Sequence, residues 1–227
     1  MKTLIKISLG AAIVLLTYLC IMSIVTPIRF DEEKARREIV VIEKLVDIRK
    51  AAVEYKDQKG VYTDKFDELI KFLKTAKKKT VLKEGALVEK QLEAGLTEAK
   101  AAAIVRKGNR QEIIANGLEN FRRDTAYVTM LEALYPNKYT AETIEQIKLV
   151  PFTTDKEFVL KVDNNYTNSN SIKIPLFEAS VLYEVYLAGL NRQEILNKID
   201  VQTKLAKFPG LMIGSIVEPN NNAGNWE

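Results

Sequence analysis

Residues 7–28 read ISLGAAIVLLTYLCIMSIVTPI, and no charged side chain interrupts them. A helix rises 1.5 Å per residue, so about 20 residues cross the ~30 Å hydrocarbon layer of a bilayer. The run has the length of a membrane span. A cleaved secretory signal carries a shorter apolar region, about 7–15 residues, and ends at small residues. No small-x-small site follows here, and Cys20 stands behind bulky Tyr18 and Leu19, a poor lipoprotein processing site. The run therefore reads as an uncleaved anchor, set against a cleaved signal or the buried helix of a soluble domain.

Lys2 and Lys6 precede the run, and Arg29, Lys34, Arg36 and Arg37 follow it. Flanking charge leaves the orientation ambiguous, because long domains translocate largely regardless of it. A two-lysine tip ahead of a large C-terminal part is the usual layout of a signal anchor. The expected placement is a bacterial inner membrane crossed once, with the C-terminal domain in the periplasm. Formal net charge is +4, and Lys2 and Lys6 supply two of those charges, so residues 29–227 carry about +2. Such a balance provides no electrostatic reason to expect nucleic acid as a partner. Cys20 is the single cysteine and lies in the apolar run, leaving the rest without thiol, disulfide or cysteine metal site.

Beyond Pro27, which is expected to end or bend the span, Asp31 to Asp57 has helical period. Val41, Leu45, Ile48, Ala52 and Tyr55 step by four and three, and Ile39, Ile42, Val46 and Val53 run alongside. Glu43, Lys44, Asp47, Lys50 and Glu54 make the opposite face. Two adjacent stripes form a face wider than a two-stranded coiled coil needs. It suits packing on the chain's own domain, with self-association or a partner helix as the alternative. Gly60 closes this helix, and Thr63 or Asp64 caps a short one bearing Phe66, Leu69, Ile70, Phe72 and Leu73. Lys71, Lys74, Lys77, Lys78, Lys79 and Lys83 read as a solvated face or loop, or as a contact with anionic lipid if they lie near a membrane.

Helical pieces are expected over 97–107, from Arg110 onward, over 125–135 and from Thr140. After Lys148 the character changes. Short β-branched or aromatic runs at 149–152, 157–162, 171–177, 181–187 and 211–217 read as strands, with a hairpin loop at 163–170. Asn191 opens a helix to about Lys207, and Phe208-Pro209-Gly210 stops it. The tail NNNAGNWE is polar except for Trp226, the only tryptophan.

Histidine is absent, which removes Ser-His-Asp triads and histidine metal sites. Neither GxxxxGK[ST] nor GxGxxG occurs. A Ser/Lys dyad needs no histidine, yet Ser169, Ser171, Ser180 and Ser215 stand in no nucleophile context. Asp163, Asn165 and Thr167 alternate like part of a calcium loop, but the central Gly and closing Glu are missing. A plain Asn-rich turn is the simpler reading, and no cofactor, metal or catalytic residue is assigned.

The segment Ile48 to Leu73, IRKAAVEYKDQKGVYTDKFDELIKFL, following an apolar helix, resembles type IV pilins and type II secretion pseudopilins. The resemblance rests on Ala51, Ala52, Tyr55, Gly60, Tyr62, Asp67, Glu68 and Leu69. It implies a long N-terminal helix entering a head whose strands pack on it. The family's processing signal is absent: Gly10-Ala11-Ala12 lacks the following aromatic and the Glu five residues into the mature helix. The resemblance therefore implies an unprocessed relative that stays anchored.

The expected fold class is α+β. Residues 1–28 form tip and anchor, 29–60 an amphipathic stem helix, 61–148 a mainly helical part of the head, and 149–227 a β-rich part with antiparallel sheet and a polar tail. Expected partners are the lipid bilayer through residues 7–28, other envelope proteins and a second copy of the chain. The expected role is a non-enzymatic structural or assembly component of an envelope complex, secretion- or pilus-related. A membrane-anchored ligand-binding module and an anchored hydrolase are the alternatives. Ile42, Leu45, Val46, Ile48, Ala52 and Tyr55 are the expected packing surface of the stem. Trp226 is either an anchor for a partner or a residue folded back on its own head.

Overall fold

The computed structural model describes residues 2–227, with side chains described for all but 2–4, 80–83 and 123–126. Helix α1, Lys2–Lys59, is continuous and contains Pro27. Of the two expectations for Pro27, to end the helix or to bend it, the first does not hold. Proline removes one i→i−4 hydrogen bond, and the helical turns on both sides persist across that gap. The helix stops where Gly60 takes φ +79°, the left-handed conformation that favours glycine at a helix end.

Two compact units follow from the contacts: Met1–Ile70 with Glu142–Glu227, and Lys71–Ala141. In the first, α1 packs against a three-stranded antiparallel sheet ordered β3 (Val159–Asp163), β4 (Leu176–Leu182) and β5 (Gly210–Ser215). Val159 faces Ser180 across one ladder, and Phe177 faces Ser215 across the other. A Cβ at Gly214 would stand 2.1 Å from the carbonyl oxygen of Phe177, so the close approach of β4 and β5 requires glycine there. Val41, Leu45, Ile48, Ala51 and Ala52 of α1 are buried with Phe177, Ala179 and Ile213 of the sheet. Each fully buried Leu or Ile contributes roughly 1.5–3 kcal/mol. Tyr62 stacks on Phe177 at 5.4 Å between centroids. Asn164, in the β3–β4 connection, accepts from Tyr62 N at 2.9 Å and donates to Tyr62 O at 3.0 Å.

The covered face of α1 differs from the two expected stripes. Asp47, expected on the polar face, is 2% exposed, whereas Ile39, expected in a stripe, is 69% exposed. The 3₁₀ segment Thr143–Lys148 also packs on α1, and Lys44 Nζ donates to Gln146 O at 3.3 Å. This second wall widens the buried face toward Asp47 and Ala51 and leaves Ile39 in the open.

The second unit differs more from expectation. Helix α2, Phe66–Thr75, leads from the first unit into β1, Lys77–Glu84, which pairs antiparallel with β2, Arg122–Thr129. Of the basic stretch, Lys71 and Lys74 thus lie on α2, while Lys77, Lys78, Lys79 and Lys83 fall in a strand rather than a loop, with Lys71, Lys77 and Lys79 exposed; the helix expected over 125–135 is β2 followed by α6, Met130–Leu134. Lysine favours strands little, and the pairing partner lies some fifty residues away (Lys77 to Thr129), so local pattern conceals it. Lys83 belongs to this stretch, and its side chain lies outside the described residues. Between the strands come α3 (Glu89–Glu93), α4 (Glu98–Lys107) and α5 (Arg110–Ala115). Thr97 caps α4 through its side chain, Gly108 ends it in the left-handed region, and Asn109 caps α5. Ala101, Leu118 and Phe121 are the centre of this unit's small core.

Strand boundaries in the C-terminal part shift as well. No strand covers 149–152. Leu149 makes a single bridge to Glu157, and Phe152 turns the chain at φ +66°. Of 171–177 only Leu176 and Phe177 are strand, β4 beginning at Leu176. Residues 181–187 divide between β4 and α7, Tyr183–Tyr186. Tyr183, Tyr186 and Leu187 are buried at helical spacing, a period that the β-branched content of the run masked. Helix α8 spans Arg192–Lys204 with Asn191 as its cap.

Candidate functional site

A cleft of about 580 Å³ opens in the first unit between α1, α8, β5 and the C-terminal tail. Lys34, Glu38 and Ile42 form its α1 wall, and their spacing of four stacks them on one face. Lys34 Nζ and Glu38 Oε1 pair at 2.8 Å. The Tyr186 hydroxyl, on a ring with no exposed surface, donates to the same Glu38 oxygen at 2.9 Å. Burial drives the Tyr186 hydroxyl far above the usual tyrosine range, and the Glu38 charge adds to this. Tyr186 therefore stays a donor that holds Glu38 at every ordinary pH. Tyr183 is also raised, chiefly by burial, and its ring lies 5.7 Å from the Lys34 ammonium.

The opposite wall comes from the end of α8 and from the tail. Ala206, at φ +53°, swings the chain so that Lys207 and Phe208 border the opening. The tail folds back along β5. Asn225 donates through Nδ2 to Gly210 O at 2.9 Å, and its Oδ1 accepts from Met212 N at 3.1 Å. Gly224 bridges Ile213, and Asn225 N donates to Met212 O at 2.9 Å. Arg49 Nη1 of α1 donates to Asn222 O and to Glu227 Oε1, each at 3.1 Å. The Trp226 ring lies over Gly224, where a Cβ would stand 2.5 Å from the indole. Trp226 is thus half-buried at the mouth of the cleft, held by its own head.

The residues singled out in the sequence have separate fates. Leu45, Ile48 and Ala52 lie inside the core, at most 5% exposed, and Val46 and Tyr55 are half-buried. Ile42 and Trp226 alone among them meet in the cleft. Lys34, Glu38, Tyr183, Tyr186 and Asn225 complete the site without having been singled out. The spacing of Lys34, Glu38 and Ile42 was a visible signal, whereas the approach of Tyr186 to Glu38 spans 148 positions.

The remaining chemical candidates have structural partners. Asp163 Oδ1 accepts from Asn165 N at 2.9 Å and the Thr167 hydroxyl donates to Asn165 O, which makes an Asx turn of the calcium-like run. Among the described residues no group of three or more acids or cysteines is placed to hold a metal ion. Ser180 is buried in β4, and the Ser215 hydroxyl oxygen accepts from Val217 N and Glu218 N. A second hollow, about 560 Å³ beside Tyr135 and Tyr139, belongs to the other unit and contains none of the singled-out residues.

The cleft's chemistry is mixed: apolar lining from Ile42, Leu211, Met212 and Trp226, with an ammonium–carboxylate pair along one side. Its volume lies in the range of small-molecule sites and also accommodates a few side chains of a partner. Searches against protein-family models, curated proteins and solved structures returned no match to this chain.

Proposed function

We propose that this protein is a single-pass, membrane-anchored component of a multiprotein envelope complex, non-enzymatic and pilin-like, with its head on the periplasmic side of a bacterial inner membrane. The observation that carries the reading is helix α1. Its N-terminal half is long and apolar enough to cross a membrane and is bare from Ile5 to Ile24, while its other half is the spine of an α+β head. A long helix packed on antiparallel strands supports the pilin-like comparison. Because Leu45, Ile48 and Ala52 are consumed by the head's own core, contact with a partner falls to the cleft bordered by Ile42 and Trp226.

The test is the native mass of the chain extracted from its own membranes in mild detergent, for the wild type and for Trp226→Ala. A defined assembly that Trp226→Ala dissolves while the melting temperature of the head falls by no more than a few degrees supports the reading. A wild-type monomer overturns it. The cleft also favours a second reading, a membrane-anchored module for an amphipathic small molecule. A ligand-dependent rise in melting temperature that Trp226→Ala abolishes distinguishes that case.

A further inference from the structure

On the anchored reading above, we infer that the head rests directly on the bilayer, with the first turn of α8 among the phospholipid headgroups and no free stem between membrane and head. The argument begins with exposure along α1. The uncharged run begins at Ile7, every residue from there to Ile24 is exposed, and about 20 residues from Ile7, to about Thr26, are about 30 Å long, the thickness of the hydrocarbon layer. The head begins to cover the helix at this end: Val25, Thr26 and Pro27 are half-buried and Phe30 is buried, while Ile28 and Arg29 stay exposed on the other side. Cover by the head thus begins where a hydrocarbon layer counted from Ile7 ends.

The element held at this level is α8. Lys198 Nζ pairs with Asp31 at 2.9 Å, about 7.5 Å along α1 beyond Thr26, which is the outer edge of the headgroup layer. Gln202, further along α8, lines the cleft with Lys34, Glu38 and Ile42. Helix α8 therefore climbs away from the bilayer, and its first turn, with exposed Arg192, lies on the membrane side of Lys198. Arg29 and Arg192 are placed to donate to lipid phosphates. Asp31, Glu32 and Glu194 stand at the same level and balance Arg29, Arg192 and Lys198, so the contact depends on helix length and cover rather than on an excess of anionic lipid.

Spin labels on the full-length chain in phosphatidylcholine vesicles test this, read by collision with oxygen and with a water-soluble nickel chelate. One label occupies native Cys20; the others occupy Arg192→Cys, Gln193→Cys and Asp57→Cys in a Cys20→Ser background. The expected result is Cys20 in hydrocarbon, positions 192 and 193 at phosphate depth, and position 57 in bulk water. Labels at 192 and 193 as open to nickel as the label at 57, with Cys20 still in hydrocarbon, overturn the headgroup contact and leave the anchor standing. A Cys20 label outside the hydrocarbon overturns the anchor and this inference together. Adding phosphatidylglycerol should leave the depth at 192 unchanged; a contact that appears only with anionic lipid overturns the charge balance.

Discussion

The two halves of α1 are both rich in Leu, Ile and Val, yet one is bare and the other is a core. From Ile5 to Ile24 apolar residues occupy all sides of the helix and none is covered. From Val41 to Ala52 they recur every three or four residues, and those on the facing stripe have almost no exposed surface. Hydrophobicity that runs all round a helix asks for a uniformly apolar medium, and hydrophobicity confined to one face asks for a protein neighbour. One continuous helix meets both demands in succession. On the proposed anchored reading, the change in pattern along it, more than the proline between, marks where one medium gives way to the other.

The sharpest way to break this comparison is to place the same charge in each half. Leu45→Asp buries a carboxylate in a site with no exposed surface. It should cost on the order of 4–5 kcal/mol or more, most of a typical domain's stability. Circular dichroism of the detergent-solubilised chain should show a lost or strongly lowered melting transition of the head. Leu15→Asp should leave that transition in place and weaken membrane insertion by about 3 kcal/mol, read as protein released by alkaline extraction. If the two variants behaved alike, the division of α1 into bilayer and core segments would fail.

Gly224→Ala acts on the cleft rather than the core. Its new Cβ meets the indole at 2.5 Å, so Trp226 must leave its seat, at a cost of about 1 kcal/mol. Because Trp226 is the only tryptophan, its emission should shift to the red, while the head's melting temperature falls by only a few degrees. The smallest effect concerns the start of the spine. Hydrogen bonds from Arg36 and Arg37 hold the Glu33 carboxyl down at about 2, and Arg37 also donates to Tyr186 O and Ala188 O at 3.0 Å. A lowered folded-state value means that this pairing stabilises the head fully above the ordinary value of 4.5 and is lost as pH falls toward about 2. Glu33→Gln should remove that part of the acid dependence, measured as urea midpoints across this window: a slightly lower midpoint at neutral pH, converging on the wild-type value as pH falls toward about 2.

Much of the fold was legible in short stretches. The boundaries of α4 and α5 follow from Thr97, Gly108 and Asn109, whose side chains or backbone freedom act within three residues. The spine's seam of Val41, Leu45, Ile48 and Ala52 follows from its period. The candidate site was half legible. Ile42 and Trp226 stood out, but the wall between them was not visible, because Glu38 is completed by Tyr186 and the tail is fastened by Arg49.

What the sequence alone determined, then, is whatever depends on neighbours three or four residues apart: the uninterrupted apolar run, the helix caps, the period of the spine. The tertiary structure decided the β1–β2 pairing of a lysine-rich strand, the burial of Asp47 and the return of the tail. It also decided which apolar residues of α1 remain free to meet anything else. Those outcomes rest on contacts such as Tyr62 to Asn164 and Arg49 to Asn222, separated by 102 and 173 positions. A local pattern states that a face must be covered; only the folded chain decides what covers it, because side chains far apart in sequence compete for the same surface.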